Sequence, residues 1–294
     1  MKKFMALILA LCMACSLAAC GGNDPASDDP TNDSPSTNDT SAYTEKLVEK
    51  GKLTIGTTGA AAPFSYYNDK NELVGYDIEI GTMLAEALGL EPNFVVLDWS
   101  GLLPGLQSGR FDLVMSGVTM TTERMNADGM ILTKPYTVNG VVLARKAGNT
   151  EINGWDDLPG KIMGCTTGSA QAQMALARLP EGTITETKEY PGWAEMLLDL
   201  EAGRVDYLIM DFLGLSYYQL SGNANLEVVG DPLVLTTQAV AIYSDETALA
   251  EKVTALIDEY RENGTLAEAI TRNFGSYLPF DLTPFSLHRS RCAP

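Results

Sequence analysis

The chain has 294 residues, of which 38 are acidic and 20 basic, and its formal net charge is −18. A balance this acidic disfavours nucleic acid and anionic membrane surfaces as partners, because both carry negative charge. Beyond its N-terminal segment, the chain is long enough for two domains of about 100 to 130 residues each.

The first twenty residues predict a bacterial lipoprotein signal peptide. Lys2 and Lys3 precede an apolar run over residues 4–14, which is too short to span a bilayer, and the sequence Leu-Ala-Ala then leads to Cys20. In this pattern Cys20 is acylated and becomes the first residue of the mature, membrane-anchored protein. An ordinary signal peptide, or a core helix of a protein that stays inside, is the alternative.

Residues 21–42 predict a flexible acidic tether. They consist almost entirely of Asp, Asn, Ser, Thr, Pro and Gly. A segment with so little to bury cannot offset the entropy lost on ordering. Such a tether would hold a folded domain away from a membrane.

The cysteines predict free thiols in the folded part of the protein. Cys12 and Cys15 fall in the signal peptide and Cys20 carries the lipid, which leaves Cys165 and Cys292. An oxidising compartment would allow these two to pair. We expect them to stay unpaired, because Cys165 lies in an apolar strand-like run and Cys292 in a loose tail.

Strand and helix signals alternate along the rest of the chain, which predicts an α/β fold with mostly parallel sheets. Asp77 is the predicted N-cap of the first long helix. Strands are predicted over residues 52–57, 94–97, 111–116, 161–165 and 205–210, and helices over residues 78–88, 100–108, 170–179 and 194–202.

An internal repeat predicts two similar lobes. Residues 106–112 and 200–206 share the pattern L-x-small-G-R-x-D, and Trp99 and Trp193 stand at the same distance before the two arginines. Each copy joins a helix to a strand. Because ligands collect at the carboxyl ends of parallel strands, Gly117 should lie at the rim of one lobe and the residue after the second strand at the rim of the other.

The first rim has features of an anion site. Gly117 allows close approach of the backbone, Thr121 can cap a short helix, and Arg124 falls in the first turn of that helix, where the macrodipole disfavours a cation. A bound carboxylate would reverse this penalty, and a guanidinium can hold it through two parallel hydrogen bonds. The alternative is a surface arginine paired with Glu123 or solvent.

The second rim combines a helix start with a carboxylate. Residues 165–171 run from strand to helix through Gly168, so backbone N–H groups near Ser169 could hold an anion; the Lys-Ser/Thr ending of a phosphate-binding loop is missing. Asp211 follows an apolar strand without a neighbouring Lys or Arg, and a ligand ammonium would be a suitable partner. It could instead cap the next helix. Trp99 could stack on a ligand or be a purely structural residue.

At these residues the chain resembles the family-three bacterial extracellular solute-binding proteins, the polar amino-acid binders of ABC importers. The motifs occur in order from about residue 52 to 275, and they look closest to the glutamine- and histidine-binding members. They are Ala62-Pro63-Phe64, Gly75-Tyr76-Asp77-Ile78-Glu79-Ile80 followed by Leu84 and Ala85, Asp98-Trp99-Ser100-Gly101, residues 116–124, and Arg261-Glu262-Asn263-Gly264-Thr265.

The resemblance implies a two-lobed, type II periplasmic-binding-protein fold. Lobe 1 would comprise residues 43–138 and 236–280, and lobe 2 residues 139–235, with a tail at 281–294. The chain would cross between the lobes near Thr137 to Gly140 and return near Leu233 to Thr237. The ligand would bridge the lobes and stabilise their closed arrangement, which a permease would recognise.

The resemblance also implies roles for the rim residues. Arg124 would grip the α-carboxylate of a free amino acid, helped by the backbone of Thr119 and the amide near Ala170. Asp211, the Gly117 carbonyl and the Thr119 hydroxyl would hold the α-ammonium. Trp99 would pack on the ligand side chain. One departure is Ala61, where relatives often place a second stacking aromatic, which leaves extra room.

The side-chain pocket predicts a neutral ligand. Thr58, Ala61, Trp99 and Thr166 are expected to face the ligand side chain, and none of them is charged. A buried ligand charge without a partner would cost several kcal/mol. We therefore expect a neutral amino acid, polar or apolar, bound by a monomer.

Two other classes of function remain open. The first is an enzyme on the same fold, such as a dehydratase; the single histidine, His288, lies in the tail, so histidine-based nucleophilic systems and His-rich metal sites lack their parts. The second is a ligand-sensing partner of a membrane receptor. We expect no catalytic residues, cofactor or metal.

Overall fold

The structure is a computed structural model that describes residues 41–222 and 224–275. The predicted signal peptide with Cys20, residues 21–40 of the predicted tether and the tail 281–294 with Cys292 lie outside the described residues. The first helix begins at Ser41, two residues inside the predicted tether. Its Tyr43 side chain is buried.

The strands within the described residues form two sheets, one of eight strands and one of three. They are β1 (Lys52–Thr57), β2 (Ala60–Ala61), β3 (Ser65–Tyr67), β4 (Leu73–Val74), β5 (Glu91–Val96), β6 (Leu113–Val114), β7 (Met130–Lys146), β8 (Ile162–Thr166), β9 (Glu186–Tyr190), β10 (Tyr207–Asp211) and β11 (Leu226–Tyr243).

Helices separate most of the strands, as the alternating pattern predicts. They are α1 (Ser41–Thr44), α2 (Tyr76–Ala87), α3 (Trp99–Gln107), α4 (Thr122–Met125), α5 (Ala170–Arg178), α6 (Trp193–Glu201), α7 (Phe212–Ser221), α8 (Thr247–Glu262) and α9 (Thr265–Phe274), with a 3-10 turn at Trp155–Asp157. No helix in the described part of the chain is long and apolar enough to span a bilayer.

Two long strands run through the middle of the large sheet. The strand order is β5-β1-β6-β11-β7-β10-β8-β9, and β7 and β11 are antiparallel partners, with 17 and 18 residues. The strands β1, β5 and β6 are parallel on one side, and β8, β9 and β10 are parallel on the other. The segments where we predict the crossings lie in the middle of these long strands, where Asn139 pairs with Thr236.

Apolar residues of β1 and α2 form part of the core between sheet and helices. Leu53 and Ile55 in β1, and Ile80 and Leu84 in α2, are fully buried. The helix residues are four apart and therefore share one face. Burying an apolar side chain of this size stabilises the folded state by about 1.5–3 kcal/mol relative to leaving it exposed.

Two of the predicted local features are wrong. Asp77 is not the N-cap of α2, because the helix already begins at Tyr76 after Gly75, which has a φ of 125°. A Cβ on Gly75 would lie 2.4 Å from the Phe64 carbonyl oxygen, so the turn admits only glycine. The strand predicted over residues 111–116 is reduced to Leu113–Val114.

The repeated aspartates have equivalent structural roles. Asp112 accepts hydrogen bonds from the backbone N–H groups of Val48 at 2.8 Å and Thr54 at 2.6 Å. Asp206 accepts one from the backbone N–H of Ile162 at 2.6 Å. Each aspartate also donates its own backbone N–H to the carbonyl of the same strand residue, Thr54 or Ile162. The repeat thus ties each aspartate to the neighbouring parallel strand, β1 in one half and β8 in the other.

Candidate ligand-binding site

A cleft lies between the two halves of the large sheet and is lined by residues from both. It is bordered by the segments that follow β1, β6, β8 and β10, at the carboxyl ends of these strands, as expected for parallel sheets. The cleft is lined by Thr58, Ala60, Ala61, Trp99, Ser116, Gly117, Thr119, Arg124, Thr166, Ser169, Gln171, Pro191, Gly192, Trp193 and Asp211.

The structure brings eight of the nine predicted ligand-binding residues together in this cleft. They are Thr58, Trp99, Gly117, Thr119, Arg124, Thr166, Ser169 and Asp211. The ninth, Ala170, is 1% exposed and lies behind the cleft surface. Because α5 begins at Ala170, the first N–H groups of this helix have no acceptor within it.

The first rim is built around Gly117. Its φ of 60° lies in the left-handed region, and a Cβ there would be 3.0 Å from Nε2 of Gln238, so glycine fits this turn. The backbone N–H of Gly117 donates to Oδ2 of Asp77 at 2.8 Å. The Tyr136 hydroxyl donates to Oδ1 of Asp77 at 2.6 Å. The Asp77 carboxylate therefore holds the Gly117 turn in place.

Asp77 is fully buried, and its burial raises the pKa of its carboxyl to about 7. The hydrogen bonds from Tyr136 and Gly117 act in the opposite direction, because they stabilise the carboxylate. The negative charge of Asp211 adds to the upward shift. Asp77 therefore belongs to the electrostatic environment of the cleft although it does not line it.

Arg124 is a buried cation, with 9% of its surface exposed. The Thr121 hydroxyl caps α4 by accepting from the Arg124 backbone N–H at 3.1 Å, as predicted. The guanidinium donates through Nη1 to the Thr119 carbonyl at 2.9 Å and lies 5.2 Å from the centre of the Trp99 ring. The alternative of a surface arginine paired with Glu123 is wrong, since Arg124 makes no ion pair with any described carboxylate.

Burial lowers the pKa of the Arg124 guanidinium, and the negative charges of Glu123 and Asp211 partly oppose this shift. An arginine in a protein nevertheless stays protonated at neutral pH. The guanidinium keeps further N–H groups beyond the one that Thr119 accepts. The geometry thus offers a fixed positive charge with donors facing the cleft.

Asp211 is the matching buried anion, at the last position of β10. It occupies the N-cap position of α7 but makes no side-chain capping hydrogen bond, so the predicted alternative role as a helix cap is wrong. Its Oδ1 accepts from Nε2 of Gln171 at 2.7 Å. Burial raises the pKa of Asp211 to about 7, and the Gln171 hydrogen bond and the Arg124 charge counteract this.

The two repeat tryptophans have different surroundings. Trp99 is half-buried at the rim of the cleft, and its Nε1 donates to the Gly168 carbonyl across the cleft at 3.4 Å. Trp193 is 8% exposed and packs so closely on α7 that a Cβ at Gly214 would lie 2.2 Å from its ring. Its ring also meets Phe64 edge-on at 6.4 Å. Trp193 is thus a packing residue that also borders the cleft.

Sequence reasoning missed several residues that line the cleft. Gln171 is the most informative, because its side chain is only 7% exposed and contacts both rims. Its position two residues after the capping Ser169 is compatible with the helix start but does not reveal which acceptors it meets. The others that were missed are Ala60, Ser116, Pro191, Gly192 and Trp193.

Cys165 is buried and unpaired, and burial raises the pKa of its thiol to about 11, which keeps it protonated at neutral pH. Its partner in the predicted alternative, Cys292, lies outside the described residues. Within residues 41–222 and 224–275, no group of three or more His, Cys, Asp or Glu side chains is placed to hold a metal ion.

An α/β fold with two parallel strand sets joined by long central strands, and a cleft bearing one buried cation and one buried anion, defines a solute-binding protein. The chain belongs to the bacterial extracellular solute-binding proteins, family 3, whose family model matches residues 53–276.

The relatives are amino-acid-binding proteins. The L-cystine-binding protein TcyA of Bacillus subtilis (strain 168) is 30% identical over 279 residues, which cover 94% of this chain and 98% of TcyA. The probable amino-acid-binding protein YxeM of the same organism is 29% identical over 276 residues, which cover 93% of this chain and 96% of YxeM.

Solved structures of this kind confirm the predicted two-lobed, type II fold. The structure of an ancestral arginine-binding protein bound to arginine has a TM-score of 0.71 and 30% identity, and the match covers 77% of this chain and 99% of that one. The predicted lobe boundaries at 138/139 and 235/236 stay a prediction.

Proposed function

We propose that this protein binds a free amino acid with a neutral side chain and delivers it to an ABC importer. The observation that carries the proposal is the pair of opposite charges in the cleft. Arg124 and Asp211 are both more than nine-tenths buried, they come from opposite predicted lobes, and neither forms an ion pair within the described part of the chain. A zwitterion would supply the missing partner of each.

In this arrangement the ligand α-carboxylate contacts the Arg124 guanidinium, with further N–H donors near Thr119 and at the start of α5. The α-ammonium contacts Asp211, the Gly117 carbonyl and the Thr119 hydroxyl. Because the ligand joins groups from both lobes, it stabilises the closed arrangement by its differential affinity for that state. Trp99 packs on the ligand side chain.

The preference for a neutral side chain follows from the lining of the cleft. Among the described residues, Arg124 and Asp211 are the only charged ones that line it, and the zwitterion uses both. An additional acid close to the lining is Glu195, an exposed residue whose Oε2 would lie 3.3 Å from a Cβ at the lining residue Gly192. The relatives named for arginine and cystine bind ligands with additional charged groups, so Glu195 is where such a ligand would find a partner.

Calorimetric titration with the standard L-amino acids and cystine tests this proposal. We expect a neutral amino acid to bind and Arg124→Ala to weaken its binding at least about 30-fold, since breaking a buried charge interaction costs about 2–5 kcal/mol. The exposed Arg178→Ala on α5 is the matched control. Exclusive binding of arginine, lost in Glu195→Gln, would contradict the neutral ligand. Unchanged binding in Arg124→Ala would contradict the site.

We further propose that the protein is anchored to the membrane through a lipid on Cys20 and acts as a monomer. The basic start, short apolar run and Leu-Ala-Ala-Cys sequence support the anchor. Labelling with a fatty-acid analogue in cells should modify the unaltered protein and not Cys20→Ala. Labelling of both would contradict the site of attachment, and light scattering of the soluble domain tests the monomer.

The proposal excludes catalysis, with a dehydratase on the same fold as the main competitor. Incubation with prephenate or arogenate should leave both compounds unchanged. Formation of an aromatic product that is lost in Asp211→Asn would favour the enzyme instead.

A further inference from the structure

Gln171 lies between Asp211 and Thr119, two of the three residues to which we assign the ligand ammonium. Its amide nitrogen donates to Oδ1 of Asp211 at 2.7 Å and approaches Oγ1 of Thr119 at 3.4 Å. Its side chain is 7% exposed and lines the cleft. Asp211 follows a strand of the second rim and Thr119 belongs to the first, so one amide group connects both rims.

The amide is suited to orienting a carboxylate without neutralising it. A carboxylate offers about four lone-pair sites, and one amide N–H occupies only one of them. The other oxygen, Oδ2 of Asp211, stays available for an ammonium donor. A lysine or arginine in this position would form an ion pair with Asp211 and compete with the ligand for its charge.

We propose that Gln171 is a positioning residue for the ligand ammonium: its amide fixes the Asp211 carboxylate, leaves Oδ2 for the ligand, and brings Thr119 of the opposite rim to the same point. This inference rests on the proposed amino-acid-binding function and assigns a role in it to a residue without charge.

The electrostatics of the cleft distinguish this role from simple packing. Burial raises the pKa of Asp211, and the Gln171 hydrogen bond is the largest of the influences that lower it. The charged groups that act on Asp211 are Arg124 in α4 and Asp77 in α2. Without the amide donor, a larger share of Asp211 is protonated at neutral pH, and a protonated carboxyl cannot balance the charge of an ammonium.

The test compares two variants with opposite dependence on pH. Gln171→Leu removes the donor, so its affinity deficit should be about 10-fold at neutral pH and shrink to about 3-fold as the pH rises to about 8.5 and Asp211 ionises. Gln171→Glu keeps the shape of the side chain but adds a carboxyl beside Asp211. That carboxyl can donate only when protonated, so its deficit should grow as the pH rises.

Calorimetry measures these deficits with the standard amino acid that binds the unaltered protein most tightly. Gln173→Leu is the matched control, because Gln173 is exposed on the same helix, and it should bind as the unaltered protein does. Circular dichroism checks that each variant is folded; if Gln171→Leu fails to fold, the pH slope of Gln171→Glu decides alone.

Equal deficits at every pH in both variants, or no deficit, would overturn the positioning role while leaving the proposed function intact. Failure of the unaltered protein to bind any amino acid would overturn the proposed function and this inference together. A deficit in Gln173→Leu of the same size would assign the effect to helix α5 as a whole and would also overturn the inference.

Discussion

The two rims of the cleft share one construction and present opposite charges. Each rim is built from a helix, a Gly-Arg turn and an aspartate that leads into a strand of a parallel set. The aspartate carboxylate accepts a hydrogen bond from a backbone N–H of the neighbouring strand. Beyond the strand end the rims diverge: one continues to Arg124 in a four-residue helix, and the other ends directly in Asp211. The repeat thus determines where the rims are, and the residues after it determine what they bind.

The most direct test of the two opposite charges is to remove the negative charge of Asp211 from the second rim. Asp211→Asn should weaken amino-acid binding at least about 30-fold, because a buried ligand ammonium loses its charge partner at a cost of about 2–5 kcal/mol. Calorimetry measures the loss. Asp231→Asn, at an exposed aspartate of β11, is the control. Binding within about 3-fold of the unaltered protein, a difference under 1 kcal/mol, would contradict the role of Asp211.

The tryptophans sharpen the comparison, since they occupy the same place in the two repeats. Trp193→Ala should lower the free energy of unfolding by about 3–5 kcal/mol, because it empties a packed site against α7. Trp99→Ala should change stability by less than about 1 kcal/mol and weaken ligand binding about 10-fold, because Trp99 is half-buried at the rim, where its ring would contact the ligand.

Urea denaturation and calorimetry separate these effects. If Trp99→Ala destabilised the fold as much as Trp193→Ala while binding stayed normal, the assignment of Trp99 to the site would be wrong.

The repeat aspartates should differ in the size of their effect on stability. Asp112 is 1% exposed and accepts from two backbone N–H groups, whereas Asp206 is half-buried and accepts from one. Asp112→Ala should therefore lower the free energy of unfolding by about 2–3 kcal/mol and Asp206→Ala by about 1 kcal/mol, because a buried N–H donor left without an acceptor destabilises the folded state. Urea denaturation measures both, and a larger loss for Asp206→Ala would contradict the equivalence of their roles.

A further predicted effect concerns the dependence of ligand affinity on pH. The pKa of Asp211 is raised to about 7, and a bound ammonium would favour its ionised form, so binding releases a proton below that pH. Affinity should fall about 10-fold between about pH 8 and about pH 6, as expected for one group with a midpoint near neutrality. Calorimetry across this range should show the fall, and a flat profile would mean that Asp211 stays ionised throughout.

The raised pKa values of buried aspartates also affect the stability of the protein without ligand. Burial raises the pKa values of Asp77 and Asp211 above the ordinary value of 3.8 to about 7. The unfolded chain therefore loses these protons at lower pH than the folded chain. Their contribution to stability is fully present below the ordinary value and declines as the pH rises towards neutrality.

The sequence predicts those site residues whose position follows from the local pattern of strands and turns, and it does not predict those whose role depends on distant contacts. Gly117 and Asp211 lie at equivalent places of a visible repeat, and Arg124 lies in the short helix that follows Gly117, so the position of the strand ends predicts the site. The role of Asp77 was misjudged, because the helix start depends on a contact between Gly75 and the distant Phe64 carbonyl. Gln171 was missed since its acceptors lie 52 and 40 positions away in the sequence.

The full length of β7 and β11 also could not be read from sequence. Burial does not alternate residue by residue along either strand: β7 has a long continuous buried stretch, and β11 is buried towards its C-terminal end but partly exposed in its middle. Pairing between segments about a hundred residues apart is a non-local property that local propensity does not determine.

The position of Trp99 also gives the protein an optical reporter of its own. The chain contains three tryptophans, and the indole of Trp99 lies under the Arg124 guanidinium with its N–H directed at the opposite rim. Trp155 donates its ring N–H to the Asp231 carbonyl away from the cleft, and Trp193 is packed against α7. A change in intrinsic fluorescence on adding ligand should therefore originate mainly at Trp99. The single substitution Trp99→Phe should abolish this change, while the fluorescence of Trp155 and Trp193 remains.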